Sequence, residues 1–407
     1  MNTGKYIFSQ LVEFLPQRVF DAIVMKYEGN KYVKHFTCWN QLLVMMFGQL
    51  SNRDSLRDLV TTLAAHGSKA YHLGFGKNVT RSNLAKVNER REPKIFEEFA
   101  YRMIDIARKK RINKDFEIDG QVYAFDSTTI DLCLRVFWWA KFRHTKAGIK
   151  MHTLYDVETD IPTYIHVTQA KLHDQNAMDS IPYQPGAYYI FDRGYFDLKR
   201  LFHITEIESF FVIRQRGNLQ YEILEELDVN HNKNGILSDQ LIELTGYNTA
   251  KKYPEKLRRV VYYAADLNRT FVYLTNNLEI PALQVALLYK YRWRVELFFK
   301  WIKQHLKIKS FWGTTESAVR IQIFTAITAY CMVAIIEHDL KLHRTTYEVL
   351  RILSASLFDK TPIKDIFANE PVCDTEDGQL TLSLFLVDTS DPLSVYYCFY
   401  LYQNNIY

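Results

Sequence analysis

Two aspartates and one mixed-charge segment carry the residue types that could do chemistry. Asp126 closes the apolar run Val122-Tyr123-Ala124-Phe125, and Asp192 closes Ala187-Tyr188-Tyr189-Ile190-Phe191. Both runs read as buried strands, and a carboxylate at the carboxyl end of a core strand is held rigidly yet reaches solvent. Either aspartate alone would serve equally well as a turn or helix cap. The third piece is Tyr289-Lys290-Tyr291-Arg292-Trp293-Arg294-Val295-Glu296, continuing to Lys303. At about 100° per residue, a helix gathers Tyr289, Arg292, Glu296 and Lys303, with Lys307, on one face roughly 60° wide. Alone, that face is also what a solvated helix with an Arg292–Glu296 pair at i,i+4 would show.

Three carboxylates converging in a positive cleft form a hard oxygen site for Mg2+ or Mn2+. Two such ions roughly 4 Å apart can activate an attacking oxygen and stabilise a leaving one in phosphodiester chemistry. Nearby cations would hold the scissile phosphate in line. Without metal the carboxylates repel one another, and at least one titrates high.

The elements that must position these groups fall into a mixed α/β pattern. Residues 1–115 read as helical: apolar residues recur over 42–47 and 56–63, a third helix spans about Arg81–Arg90, and a fourth runs from Pro93 to Lys109. Arg81, Lys86 and Arg90 make the third a candidate DNA-contacting segment, and an ordinary charged helix face fits the same residues. After Asp126, Lys150–Tyr155 and Thr163–Val167 alternate like antiparallel neighbours. A helix over 198–207 and a strand over Phe210–Arg214 follow Asp192. Residues 217–270 are polar and turn-rich and read as a β-rich insertion. The core resumes with the strand Thr270–Leu274, a long helix from Pro281 to about Lys309, and a helix over Ser317–Leu340. The expected units are therefore 1–115, helical and DNA-binding; 116–216 and 271–345, the two parts of the catalytic core; 217–270, the insertion; and 346–407, an acidic C-terminal element.

Of the 407 residues, 48% are hydrophobic and 24% charged, with 15 Gly and 10 Pro, a globular composition that excludes collagen-like and long disordered chains. The net charge of +5 is uneven: residues 361–407 hold Lys364 against seven acidic side chains, so the preceding body is more basic than the whole. A basic body fits a polyanion such as nucleic acid. The five cysteines lie far apart and read as reduced core residues of a cytoplasmic protein. No zinc spacing and no phosphate-binding G-x4-G-K-[ST] occur. The start of the chain has no signal-peptide pattern, and the apolar run Ile321–Ile336 is shorter than a bilayer span and reads as a buried helix.

Tyr289, Arg292, Glu296 and Lys303 fit Y-x2-R-x3-E-x6-K, and on this signature the chain resembles the bacterial DDE transposases of the fourth insertion-sequence family. Phe-Asp126-Ser-Thr-Thr and Phe-Asp192-Arg-Gly-Tyr-Phe resemble that family's two aspartate motifs. The long interval before Glu296 is similar to the β-rich insertion the family places there, and residues 1–75 resemble a helical domain found ahead of such cores. The resemblance implies a ribonuclease-H-like core with Asp126, Asp192 and Glu296 as catalytic ligands of Mg2+ or Mn2+, two ions in all. Tyr289, Arg292 and Lys303 would contact DNA near the cleaved phosphate, and Lys146, Gly148, Lys150 and His152 resemble a DNA-facing basic strand. The implied reaction is strand cleavage at transposon ends and transfer into target DNA by a homodimer that holds double-stranded terminal repeats, associated with the nucleoid. Relatives stack a flipped base on a tryptophan of the insertion. Residues 217–270 contain none, leaving Tyr221, Tyr247 or Tyr253 as substitutes. Two other functions fit the same residues: a nuclease of this fold that cuts without joining, and a domesticated, non-catalytic DNA-binding protein.

Overall fold

A computed structural model describes residues 4–75, 79–111, 118–143, 146–229, 235–306, 308, 311–342 and 344–368. Lys307, Cys373, Cys398 and the acidic residues from Glu370 onward lie outside them. The first hundred residues are helical: α1 (Ile7–Val12), α2 (Gln17–Lys26), α3 (Cys38–Leu50), α4 (Leu56–Ala65), α5 (Arg81–Arg90) and α6 (Lys94–Lys110). Their starts are written locally. Thr37 and Asn40 form a reciprocal capping box, Ser55 and Thr80 cap α4 and α5, and Pro93 precedes α6.

The middle of the chain supplies β1 (Val122–Leu132), β2 (Lys141–Arg143), β3 (Lys146–Asp156), β4 (Ile161–Gln169), α7 (Asp174–Ala177), β5 (Tyr188–Phe191), α8 (Leu198–Glu206) and β6 (Phe210–Arg214). Then come β7 (Tyr221–Glu226), β8 (Ile236–Leu244), α9 (Tyr247–Lys252), β9 (Leu257–Ala264) and β10 (Arg269–Thr275). The chain closes with α10 (Ala282–Tyr291), α11 (Trp293–His305), α12 (Glu316–Asp339) and α13 (Thr346–Ser356). The strands form one sheet in the order β2-β3-β1-β5-β6-β10-β9-β8-β7, with β4 also on β3. Pairing is parallel at β1–β5–β6 and antiparallel elsewhere.

Strand alternation divides the core in two. Val122, Ala124 and Ile130 of β1 join the apolar cluster built with α3, α6, α10, α11 and α12. Tyr123 and Phe125 join a second cluster with Leu198, Leu201 and Ile204 of α8 on the other face. The first cluster takes in side chains from Tyr6 to Phe367, so the N-terminal helices share their core with the sheet.

Five expectations need correction. β1 does not stop at Asp126 but continues to Leu132. Its parallel pairing with β5 ends at Phe125↔Phe191, while antiparallel pairing with β3 carries the strand on through Thr128, Thr129 and Ile130. The long helix is two helices meeting at Arg292, where the Arg292 N–H donates to Tyr289 O and the Val295 N–H to Arg292 O, both at 3.2 Å, a turn tightened to three-residue spacing. The strands of 217–270 extend the core sheet through β9–β10 pairing. Helix α12 has 24 residues, long and apolar enough to cross a membrane, but 94% of its most apolar stretch is buried inside the fold. Burial rather than shortness marks it as a core helix. Among the described cysteines, Cys38 and Cys331 are buried as expected, whereas Cys133 is exposed.

Candidate active site

Asp126 and Asp192 occupy the same step of neighbouring parallel strands, each following the last β1–β5 pair. Asp126 shares the strand parity of Ala124, so its side chain leaves the sheet on the α10–α11 side. Asp192 precedes the short turn Arg193–Tyr195. Helices α10 and α11 bring the other groups to this point. Arg292 Nη1 donates to Asp126 Oδ2 at 3.0 Å, its Nη2 lies 2.7 Å from Glu296 Oε1, and the Tyr289 hydroxyl donates to Asp192 Oδ1 at 3.1 Å. Asp126 Oδ1 accepts from the Ser127 N–H at 2.8 Å. Three carboxylates from three distant segments therefore share one basic residue and one phenol.

The electrostatics follow from the enclosure. Burial pushes the Asp126 carboxyl up to about 6, against the pull of Arg292 and with Glu296 and Asp192 adding to the rise. Burial also raises Glu296, again opposed by Arg292. Burial opposes the charge on Arg292, yet Tyr289, Glu296, Asp126 and Asp192 outweigh it and its pKa rises. Burial raises the Tyr289 hydroxyl, which stays protonated and able to donate. Arg292 is 7% exposed and its Nε, buried, has no hydrogen-bond partner. The guanidinium is thus a cation already seated among carboxylates with one N–H unused.

Among the described residues, no three acidic, histidine or cysteine side chains form a ready-made metal cage. The donor set nonetheless fits hard divalent cations, being oxygen-only and anionic.

The other sequence candidates fall in different places. Lys303 Nζ donates to the Thr129 carbonyl of β1 at 2.9 Å, on the same side as Glu296. Arg81, Lys86 and Arg90 are exposed on α5. Lys150 is not a free basic side chain: its Nζ donates to Asp174 Oδ1 at 3.0 Å and to Leu172 O at 3.1 Å, on the sheet face opposite Asp126. His152 is fully buried beside it, where burial lowers its pKa to about 4 and keeps it neutral. Gly148 packs under Ala170, 3.2 Å from where a Cβ would sit. Of the insertion tyrosines, Tyr253 is buried and bonded to Thr205, Tyr221 lies under Arg259, and Tyr247 is exposed. Sequence reasoning misses Ser127 and Asp174 as a pair. Period-two alternation from Asp126 is the signal that puts Ser127 on the opposite face.

Comparison with known proteins bears on the whole assembly. The family described as the transposase DDE domain matches residues 117–332, and a domain of unknown function matches residues 3–76. A Sinorhizobium fredii protein named as transposase y4zB is 34% identical over 296 residues, covering 71% of this chain and 80% of that one. A Geobacillus stearothermophilus protein named as the transposase of insertion sequence element IS5377 is 30% identical over 208 residues, covering 51% and 54%. A Synechocystis protein named for insertion sequence element IS4SA is 26% identical over 298 residues, covering 70% and 80%.

Proposed function

This chain belongs to the DDE transposase family, and from that membership we propose that it cuts DNA strands at the ends of an insertion element and transfers them into target DNA. The observation that carries this is the meeting of Asp126, Asp192 and Glu296 around Arg292 and Tyr289. The parallel β1–β5–β6 strands beside the antiparallel β3–β1 pair support reading the core as ribonuclease-H-like.

Asp126, Asp192 and Glu296 would hold two Mg2+ or Mn2+ ions. When bound, such ions supply positive charge at the attacking and leaving oxygens of phosphodiester exchange. The remaining work falls to the chain's own groups. Tyr289 orients Asp192 through its hydroxyl. Arg292, paired with Asp126 and Glu296, sets the charge balance of the site and would lie beside the phosphate of the DNA strand. Lys303, farther along α11, extends the cationic side of the site. Exposed Arg81, Lys86 and Arg90 would contact phosphates of the element ends, and two copies would pair the two ends.

The test is incubation of the purified chain with linear DNA carrying its element's ends, with Mg2+ and then with a chelator. Joined strand-transfer products in Mg2+ and none in chelator are expected. Cut ends that never join would make the protein a nuclease, and binding without cutting would make it a DNA-binding protein only.

A further inference from the structure

Directly behind Asp126, on the α8 face of the sheet, lies a polar cluster that the carboxylate centre does not use. Ser127 stands opposite His152 in the β1–β3 register, and Lys150 pairs with Thr129 two steps along. The Ser127 hydroxyl donates to Asp174 Oδ1 at 2.8 Å, the same oxygen that accepts from Lys150. His152 Nε2 meets Thr168 Oγ1 at 3.0 Å, and its buried Nδ1 lies 4.0 Å from Asp174 Oδ1 without a hydrogen bond. Tyr195 covers the cluster, its ring 5.3 Å from that of Phe125.

Ser127 reaches both faces of the sheet. Its backbone N–H holds Asp126 Oδ1 at 2.8 Å, and its hydroxyl is held by Asp174 at 2.8 Å. Pairing with β5 has ended one residue before Asp126, so from there onward β3 is the strand neighbour of β1. We propose that Asp174 is a positioning residue of the cleavage reaction: by gripping the Ser127 hydroxyl it fixes the Ser127 amide and, through it, the carboxylate of Asp126. Lys150 completes the brace, tying Asp174 and the Leu172 carbonyl to β3 so that the segment before α7 cannot lift from the sheet. Asp174 Oδ1 is engaged by Ser127 and Lys150, which share the sheet face opposite Asp126, so the proposed role is to hold Ser127. The inference rests on the reading of Asp126 as a metal ligand.

The experiment measures Mn2+ binding to the full-length protein from the free-Mn2+ electron paramagnetic resonance signal, with melting temperature and DNA cleavage followed alongside. Loss of an outer partner of a metal ligand weakens metal binding about 10–100-fold. Asp174→Ala should therefore raise the Mn2+ Kd about tenfold. Ser127→Ala, which leaves the Lys150–Asp174 pair intact, should act in the same direction, and the double variant should be no worse than the worse single one. Asp174→Asn keeps the acceptor for Ser127 and should stay near wild type. Additive effects, or an Asp174→Asn protein as impaired as Asp174→Ala, would overturn the relay. So would unchanged Mn2+ affinity in Asp174→Ala and Ser127→Ala while Asp126→Ala abolishes binding. If Asp126→Ala also binds Mn2+ normally, the carboxylate centre itself has been misread. Should Asp174→Ala not fold, Ser127→Ala and Asp174→Asn decide the matter alone.

Discussion

Arg292 and Asp126, 166 residues apart in the chain, meet at 3.0 Å, and the same guanidinium reaches Glu296 at 2.7 Å. Arg292, which the family resemblance assigns to DNA, thus also balances two of the three carboxylates, and its pairing with Glu296 is the i,i+4 contact that helical spacing allows.

Arg292→Ala should consequently lower stability as well as activity. Removing one partner of a buried ion pair costs about 3–5 kcal/mol, and the partial exposure of Asp126 and Glu296 brings the expectation below that range, to about 1–3 kcal/mol. Thermal melting at pH 7.5 reads the effect. An unchanged melting temperature would mean that the pair contributes nothing to the folded state.

Asp126→Asn should have the opposite sign. The folded carboxyl titrates near 6, above its ordinary 3.8, so its favourable contribution is complete at low pH and is lost as pH rises through about 6. Near neutral pH the ionised group is a liability of about 1–3 kcal/mol. The variant should melt higher than wild type at pH 7.5, with the gap shrinking toward pH 4.5. A gap that widens on acidification would contradict the assigned environment.

Asp126→Ala, Asp192→Ala and Glu296→Ala should each abolish cleavage while leaving binding to element ends within a few-fold, because ligands of one centre act as a unit. End cleavage and gel-shift assays on the same preparations check this. Near-normal cleavage by Asp192→Ala would remove it from the centre.

Salt dependence separates the basic candidates. Every cation withdrawn from a DNA phosphate should flatten the slope of log affinity against log salt by about 0.9. Replacing Arg81, Lys86 and Arg90 together should flatten it by about 2–3, whereas Lys150→Met, already committed to Asp174, should leave it unchanged. Point substitutions are the right tool here, because deleting the N-terminal helices would strip the core they share with the sheet.

Much of the site is legible without the fold. Helical spacing brings Tyr289, Arg292 and Glu296 to one side despite the tightened turn at Arg292, because a single three-residue step displaces a helix face only slightly. The end of β1 is not legible, since a strand can outlive one neighbour when the other continues, and pairing partners are nonlocal. Lys150 misleads for a related reason. Its β-strand context is plain in the sequence, but the carboxylate that claims it comes from a short helix after β4, at a distance that periodicity does not register.

Seven consecutive register pairs join β9 to β10, and β10 is itself paired to β6, which lies beside β5 and Asp192. Strands β7, β8 and β9 are thereby welded to the sheet that carries the carboxylates as an arm of fixed reach, not hung from it by a swivel. Shifting that arm by one residue would invert every side chain along the joint. The distance from those strands to Asp192 is therefore set by sheet hydrogen bonds rather than by a connecting loop.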